Sequence, residues 1–518
     1  MDFPVGYASA SQFVRISTKS ENFQEVYLEV DRRIFWQAVR KSLSYNGQCK
    51  IPEPTPSWIE TGAPHSYFIQ SLSYLNLSDL GLTSIPPDIA LFTNLSVLDL
   101  SFNKLTSLPS AIKSLQRLRE LRLDHNSFCL FPIEICDISS LQVLHLHDNQ
   151  IETISAEIGK LTQLTQLFLY ENAIKIIDEK IGNLKGLEKL ELHQNKLQSL
   201  PDSIGDLFNL KYVRLDQNIL EKVPSTIGGL KQLQELKLGC NRLQVLPEEI
   251  GDLSNLTQLS CDHNLLREIP ASIGRLLKLQ FLWLNDNKIE TLPDSIVNLQ
   301  KLFLLYIQKN ALKELPAAVG FLESLQNLYV SENRLERIPE TIGKLSKLTE
   351  FFVTYNCLKT IPVEITYLRS LKSLCLGNNQ LETIPEGLFH LPCLLTLGLE
   401  GNELSIFPDI SPIVAHISKL IYLNISKNKL ECIPSSIKYL CRLSTLKLGH
   451  NQLTNLPEEV AFLKKLYELD LSNNQMQRIP SFLSDHPILE FLYLNENPLI
   501  RGTFKHPPNL RLLQFGKR

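Results

Sequence analysis

At 518 residues the chain exceeds the roughly 250 to 300 residues at which a single hydrophobic core stops growing, so it must divide into domains or repeats. Its 52 basic and 55 acidic residues nearly cancel, which leaves no net field to hold a phosphate backbone or an anionic lipid surface and excludes nucleic acid as the main partner. No apolar run reaches the roughly 18 residues of a membrane span, and the opening MDFPVGYASA lacks a basic region followed by an apolar one, so the expectation is no membrane insertion, no secretion and a cytoplasmic location.

Residues 1–65 read as an N-terminal capping segment. Within it, QEVYLEVDRRIFWQAVRKSL places Val26, Val30 and Ile34 on one stripe and Phe35, Val39 and Leu43 beside it, after a capping-box pattern at Thr18 to Glu21. A helix near 24–43 is predicted. With the turn-rich PEPTPSW, including Trp58, it is expected to plug the open end of the array that begins at residue 66. RIFW, Arg33 to Trp36, is similar to docking sequences for type-1 protein phosphatase, but such short matches are frequent by chance and burial of Ile34 and Phe35 is the reading taken.

From residue 66 to 518 the chain repeats. LSVLDLSFNKLTSLPSAIKSLQR (Leu95 to Arg117), LRELRLDHNSFCLFPIEICDISS and LQVLHLHDNQIETISAEIGKLTQ align as LxxLxLxxNxL…P…I…L with a period of 23. Asparagine returns at Asn103, Asn126, Asn149, Asn172, Asn195, Asn218, Asn241, Asn264, Asn287, Asn310, Asn333, Asn356, Asn379 and Asn402, then at Asn428, Asn451, Asn474 and Asn497. One earlier unit has Leu80 in this slot, which makes 19 units.

In LxxLxL, alternate residues of a short strand point inward, so each unit has an apolar edge that only a stacked neighbour can bury. The asparagine ends the strand where its amide can donate to and accept from turn backbone that would otherwise be buried unpaired. The return half, such as LPEEIGDLSN from Leu246, begins at a proline and spaces Ile250 and Leu253 for one or two helical turns. Strands stack at about 4.8 Å while helical turns need more room, so the array must curve with its sheet inside. The fold class expected is an α/β repeat: a horseshoe solenoid with a concave parallel sheet and a helical N-terminal cap.

Three irregularities interrupt the period. Ser155 and Asp178 replace the proline in adjacent units, where a looser convex turn is expected. The step from Asn402 to Asn428 is 26 residues, three more than elsewhere and close to one added helical turn on the convex side. Near 509–518, NLRLLQF is a terminal half-repeat.

Residues between the leucines face the concave surface. Trp283, Tyr306, Tyr329 and Phe352 occupy one slot in four consecutive units, with Phe281, Leu304 and Tyr355 close by. This aromatic ladder is the predicted protein-binding centre, because contiguous exposed apolar patches mark interaction sites. The slot then shrinks to Cys375 and Gly398, with Gly377 and Gly401 alongside, where a partner backbone is expected to approach. Towards the N-terminus, Asp124, His125, His145, His147 and Asp148 converge, followed by Tyr170, His193 and Arg214. His145 and His147 share a face, but hydrated His and Asp on an open sheet are common, so the patch is read as a polar rim without metal.

No enzyme signature is present: GxxxxGK[ST], GxSxG, HExxH and the kinase set are missing, and Asp99 and Asp470 lie too far apart to act as an acid/base pair. No cofactor is expected. Ten scattered cysteines without CxxC read as free thiols, and Cys261 as a packing substitute for leucine.

The LxxLxLxxN signature over about residues 66 to 518 resembles the leucine-rich repeat family. The form LPxxIGxLxxLxxLxLxxN, at Leu200 to Asn218 and Leu246 to Asn264, is similar to the Ras-group of intracellular leucine-rich-repeat scaffolds. That resemblance implies a non-catalytic signalling scaffold or adaptor with a protein partner, such as a small GTPase or a phosphatase subunit, on the concave face. The alternative is the recognition subunit of an enzyme assembly, such as a ubiquitin ligase or phosphatase complex.

Overall fold

The computed structural model of the protein describes residues 32–39, 69–70, 72–499 and 507–514. Twenty strands of three residues each, from Tyr74–Asn76 to Leu512–Gln514, form one parallel sheet. Each pairs with the strand one unit before and after it in unbroken register, as in Leu282 opposite Leu305 and Leu328 opposite Phe351. The middle residue of each strand enters the core, and Leu98, Leu236, Leu282 and Leu446 are wholly buried. The terminal half-repeat contributes the last strand, paired with Phe491–Tyr493.

So short a strand cannot hold itself by its ladder alone. The asparagine beyond its end supplies the rest. Asn241 Oδ1 accepts from Leu220 N–H at 2.9 Å, and its Nδ2 donates to the carbonyls of Leu215, Leu238 and Gly239 at 3.0 to 3.1 Å. The same bonds recur from Asn103 to Asn497. They continue across the long step, where Asn428 accepts from Leu404 N–H at 3.1 Å and donates to the Leu399 carbonyl at 3.0 Å.

The turn has a feature that the spacing does not announce. The residue before each asparagine is left-handed, with φ of 52° at His125, 56° at Gln217, 54° at Lys309 and 53° at Tyr355. Glycine is the residue that accepts this backbone freely, yet only Gly401 supplies one in that slot. An L-residue there costs on the order of 1 to 2 kcal/mol, which the asparagine bonds on both sides offset.

The return segments are 3-10 helices, exemplified by Glu248–Asp252 after Pro247. Ile250 N–H reaches the Pro247 carbonyl, Leu253 the Ile250 carbonyl, and Leu256 the Leu253 carbonyl, a chain of i to i+3 bonds that keeps Ile250, Leu253 and Leu256 stacked on the core. Adjacent segments approach so closely that a Cβ on Gly159 would lie 2.8 Å from the Lys180 carbonyl oxygen. In the 26-residue unit the extra residues form a true α-helical turn, Val414–Ile417, with Val414 buried.

Ser155 and Asp178 do not loosen the convex side. Without proline, Asp178 N–H is free to donate to the Ile154 carbonyl at 3.0 Å, and Thr153–Ile154 pairs with Ile176–Ile177 as a second, two-stranded parallel sheet. The Asp178 carboxylate then caps the following 3-10 segment by accepting from Lys180 N–H at 2.8 Å. These two units are tied twice.

A helix spans residues 32–39, inside the predicted 24–43. Phe35 and Val39 are buried, Phe35 packs edge-on to Phe92 with centroids 6.0 Å apart, and Arg32 makes two bonds to Asp88 at 2.9 and 3.0 Å. The apolar stripe thus covers the first unit. Ile34 and Trp36 also pack against this core, so the side chains that a phosphatase docking motif must offer are engaged. The Thr18 to Glu21 pattern, Val26, Val30, Leu43 and Trp58 lie outside the described residues.

Two outcomes test these contacts. Asn241→Leu should lower stability by about 1 to 3 kcal/mol, since it strands buried peptide groups, and a melting temperature equal to that of the parent would refute the bracing role. At the left-handed slot, Gln217→Val should destabilise while Gln217→Asn should not, because β-branched residues are the poorest fit there; chemical unfolding of the two variants side by side decides it.

Candidate binding surface on the concave face

The sheet register brings Trp283, Tyr306, Tyr329 and Phe352 directly opposite one another, continuing to Cys375 and Gly398. Tyr306 meets Tyr329 edge to face at 5.1 Å and Tyr329 meets Phe352 likewise at 5.0 Å. Trp283 instead lies parallel to Phe281 of its own strand at 5.7 Å. The expected ladder is therefore two clusters in one row, half-buried by their own contacts. Leu304 sits beside it, also half-buried, and Tyr355 stands out at 59 % exposure.

The Tyr329 hydroxyl donates to Glu350 and accepts from Asn327 Nδ2 at 3.4 Å. Burial, reinforced by the Glu350 bond, pushes its pKa up to about 12. The small-residue border is not an open floor: the Glu400 carboxylate lies over Gly377, with an oxygen 3.1 Å from where a Cβ on Gly398 would stand. A partner backbone approaching there must displace that side chain. Sequence reasoning also missed Phe303, which tilts against Phe281 at 5.7 Å and, with Gln280, Lys301, Gln326 and Lys347, lines an open groove of about 320 Å³ at the edge of the sheet. Its only sequence signal is an aromatic just ahead of the strand.

The imidazoles of the N-terminal patch stack on neighbouring rings, while Asp148 stays exposed. His145 stacks on Phe168 at 4.5 Å, His147 on Tyr170 at 4.2 Å, Tyr170 on His193 at 4.5 Å and His125 on Phe102 at 4.0 Å. Burial lowers the pKa of His145 and His193 and takes His147 down to about 4, so these rings are neutral near pH 7 and behave as aromatics. Burial raises the pKa of Asp124. The two histidines that share a strand face diverge in their contacts. His147 joins His125 and Asp124, whereas His145 turns to Phe168. Asp148 pairs with His125 Nδ1.

Family models described as leucine-rich repeat region match residues 111–202 and 193–271, and models described as leucine rich repeat match 70–128, 323–376, 441–499, 278–299 and 370–391. A leucine-rich repeat protein of Leptospira interrogans is similar at 30% identity and a TM-score of 0.64, the match covering 81% of this chain and 100% of that one. The chain belongs to the leucine-rich repeat family. Other leucine-rich repeat structures share its shape. The plant peptide hormone receptor RGFR1 in complex with RGF2 aligns at 29% identity with a TM-score of 0.66, covering 83% of this chain and 79% of its own. YopM from Yersinia enterocolitica shows the same fold at 23% identity and a TM-score of 0.59, over 94% and 99% of the two chains. No curated protein sequence gives a match.

Leucine-rich repeats are in general protein-interaction folds, and the cysteines of this one read the same way. Cys261 is fully buried and burial raises its thiol pKa, as burial takes Cys375 up to about 11, so neither is a ready nucleophile. Among the described residues nine cysteines are free.

The Tyr329 contact gives a pH signature. A tyrosine whose folded pKa is raised above 10 contributes stability that is fully present below pH 10 and is lost as the pH rises towards 12. In a spectrophotometric titration, the difference between wild type and Tyr329→Phe should therefore ionise near 12 rather than 10, and Glu350→Gln should bring it down. A difference that titrates at 10 would show that the hydroxyl is not engaged.

Proposed function

We propose that this leucine-rich repeat chain is a non-catalytic intracellular scaffold or adaptor that holds a protein partner on its concave face, centred on Phe281, Trp283, Leu304, Tyr306, Tyr329, Phe352 and Tyr355. The observation that carries this reading is the aromatic row in register across four adjacent strands, half-buried and bordered by the exposed Tyr355. Such rings bury large rigid areas at small entropic cost, and a few of them supply most of the energy of an interface. Charge of both signs flanks the row, with Lys309 facing Asp286 at 3.9 Å and Glu350 bonded to the Tyr329 hydroxyl, which favours a partner that meets an apolar centre with a mixed polar rim. The similar plant receptor is itself a protein that binds a peptide hormone, which supports a polypeptide ligand. The exposed free thiols of Cys129, Cys240, Cys432 and Cys441 fit a reducing compartment and support a cytoplasmic location. Small GTPases and phosphatase subunits are the partner classes that the family resemblance brings forward, and they are the first to assay.

Affinity purification of wild type beside Trp283→Ala and Tyr306→Ala, with mass spectrometry of the retained proteins, should reveal a partner lost in both variants. Each variant should then weaken binding by about thirtyfold or more with little change in melting temperature, while Asp470→Asn, far along the same face, binds as wild type. A partner that binds both aromatic variants as tightly as wild type would move the site off this row.

A further inference from the structure

Asp124 and His147 occupy the same slot of adjacent units, two residues beyond the strands Glu120–Arg122 and Val143–His145. His125 follows Asp124 in the left-handed turn, its ring held by the stack on Phe102. The spacing of the three is thus set by sheet register and by the bonds of Asn126 and Asn149. One nitrogen from each histidine and one Asp124 oxygen lie within 4.8 Å of one another.

These groups are not satisfied by one another. Asp124 is 7 % exposed, and its carboxylate faces His147 Nε2 at 3.6 Å, too far for a hydrogen bond. His147 Nδ1 is buried without a hydrogen-bond partner, so whichever nitrogen carries the ring proton, part of the pair is left wanting. A cation between His147 Nε2 and the Asp124 carboxylate would give both of those facing atoms a partner, with the ring proton carried on Nδ1. Ligands at about 2.0 to 2.1 Å from a tetrahedral ion stand roughly 3.4 Å apart, close to the 3.6 Å between Asp124 and His147 Nε2 and a small side-chain shift from the 4.8 Å that bounds all three donors.

We propose that Asp124, His125 and His147 bind a divalent transition-metal ion of the Zn²⁺ class on the concave face. Two imidazoles and one carboxylate form a borderline donor set that suits Zn²⁺, Co²⁺ or Ni²⁺ and disfavours Ca²⁺ and Mg²⁺, which take oxygen. Asp148 on His125 Nδ1 leaves Nε2 of that ring as the ligand and orients it, the outer-sphere carboxylate that metal-bound histidines commonly have. Three protein ligands on an open sheet leave a fourth position for water or for a side chain of a bound protein. The site lies six strands from Phe281–Trp283, so it stands or falls independently of the aromatic surface.

The test is equilibrium dialysis of the full chain, stripped with chelator, against buffered Zn²⁺, with Co²⁺ absorption reporting coordination. One ion per chain should bind with a dissociation constant of about 10 μM or tighter, and the Co²⁺ spectrum should have the intensity of a four- or five-coordinate site without a thiolate charge-transfer band. His125→Gln, Asp124→Asn and His147→Gln should each weaken binding at least tenfold, while His263→Gln, whose ring lies 3.6 Å from Asp286 and 4.0 Å from Asp262 without the three donors gathering within 4.8 Å of one another, should bind as wild type. A third of the His125 side chain is exposed, so its replacement tests ligation without threatening the fold. No ion bound at 100 μM free Zn²⁺, or binding that survives either histidine replacement, would overturn the site.

Discussion

The asparagine side chain at the end of each strand is the contact on which the rest of this molecule depends. A three-residue strand has too few ladder bonds to keep a buried turn satisfied, and the amide answers with one accepted and up to three donated bonds, tying two consecutive units together. Its reach requires the chain to reverse sharply just before it, and that requirement is met by the left-handed residue. The reversal in turn brings the two residues ahead of the asparagine to the concave side, the nearer one the more exposed. The concave surface, including both candidate patches, is therefore a consequence of how backbone groups are paired in the interior.

That pairing also governs how much is legible in the sequence. Alternation within LxxLxL decides which side chains enter the core, and a step of 23 decides which ones line up; both depend on backbone periodicity, so the sheet, its register and the aromatic row can be read directly. Ring orientation is set by local packing that periodicity does not encode. Trp283 turns to Phe281 rather than to Tyr306, Glu400 covers the glycines beside it, and His147, edge-on to His145, places its donor atoms with Asp124 and His125 of the preceding unit. The left-handed slot escaped notice because polar and aromatic residues fill it where glycine would have marked it. Ser155 and Asp178 misled for a different reason: losing a proline reads as loss of rigidity, yet it restores a backbone donor that a neighbouring carbonyl can use.

The two concave patches solve one problem in different ways. Around Trp283 the rings are uncharged by nature and keep the charged groups, such as Asp286 and Lys309, at their border. Around His147 the rings are imidazoles kept neutral by burial, stacked on Phe168 and Tyr170 as though they were phenyl groups, with Asp124 enclosed among them. Charge at the first site lies outside the aromatic row, whereas at the second it lies within, which is why one suits a broad protein surface and the other a small cation.

A stack of units joined only to their neighbours behaves mechanically as a spring, its small rotations adding along its length. The second ladder between Thr153–Ile154 and Ile176–Ile177 changes that locally. It fastens on the convex side the same two units that carry His145 and His147, then Phe168 and Tyr170, on the concave side. Bending that opens or closes the horseshoe must change the distance between convex segments, and here that distance is pinned. The second ladder therefore stiffens this pair against bending relative to units joined by the concave sheet alone, and favours a constant separation between the rings stacked across it.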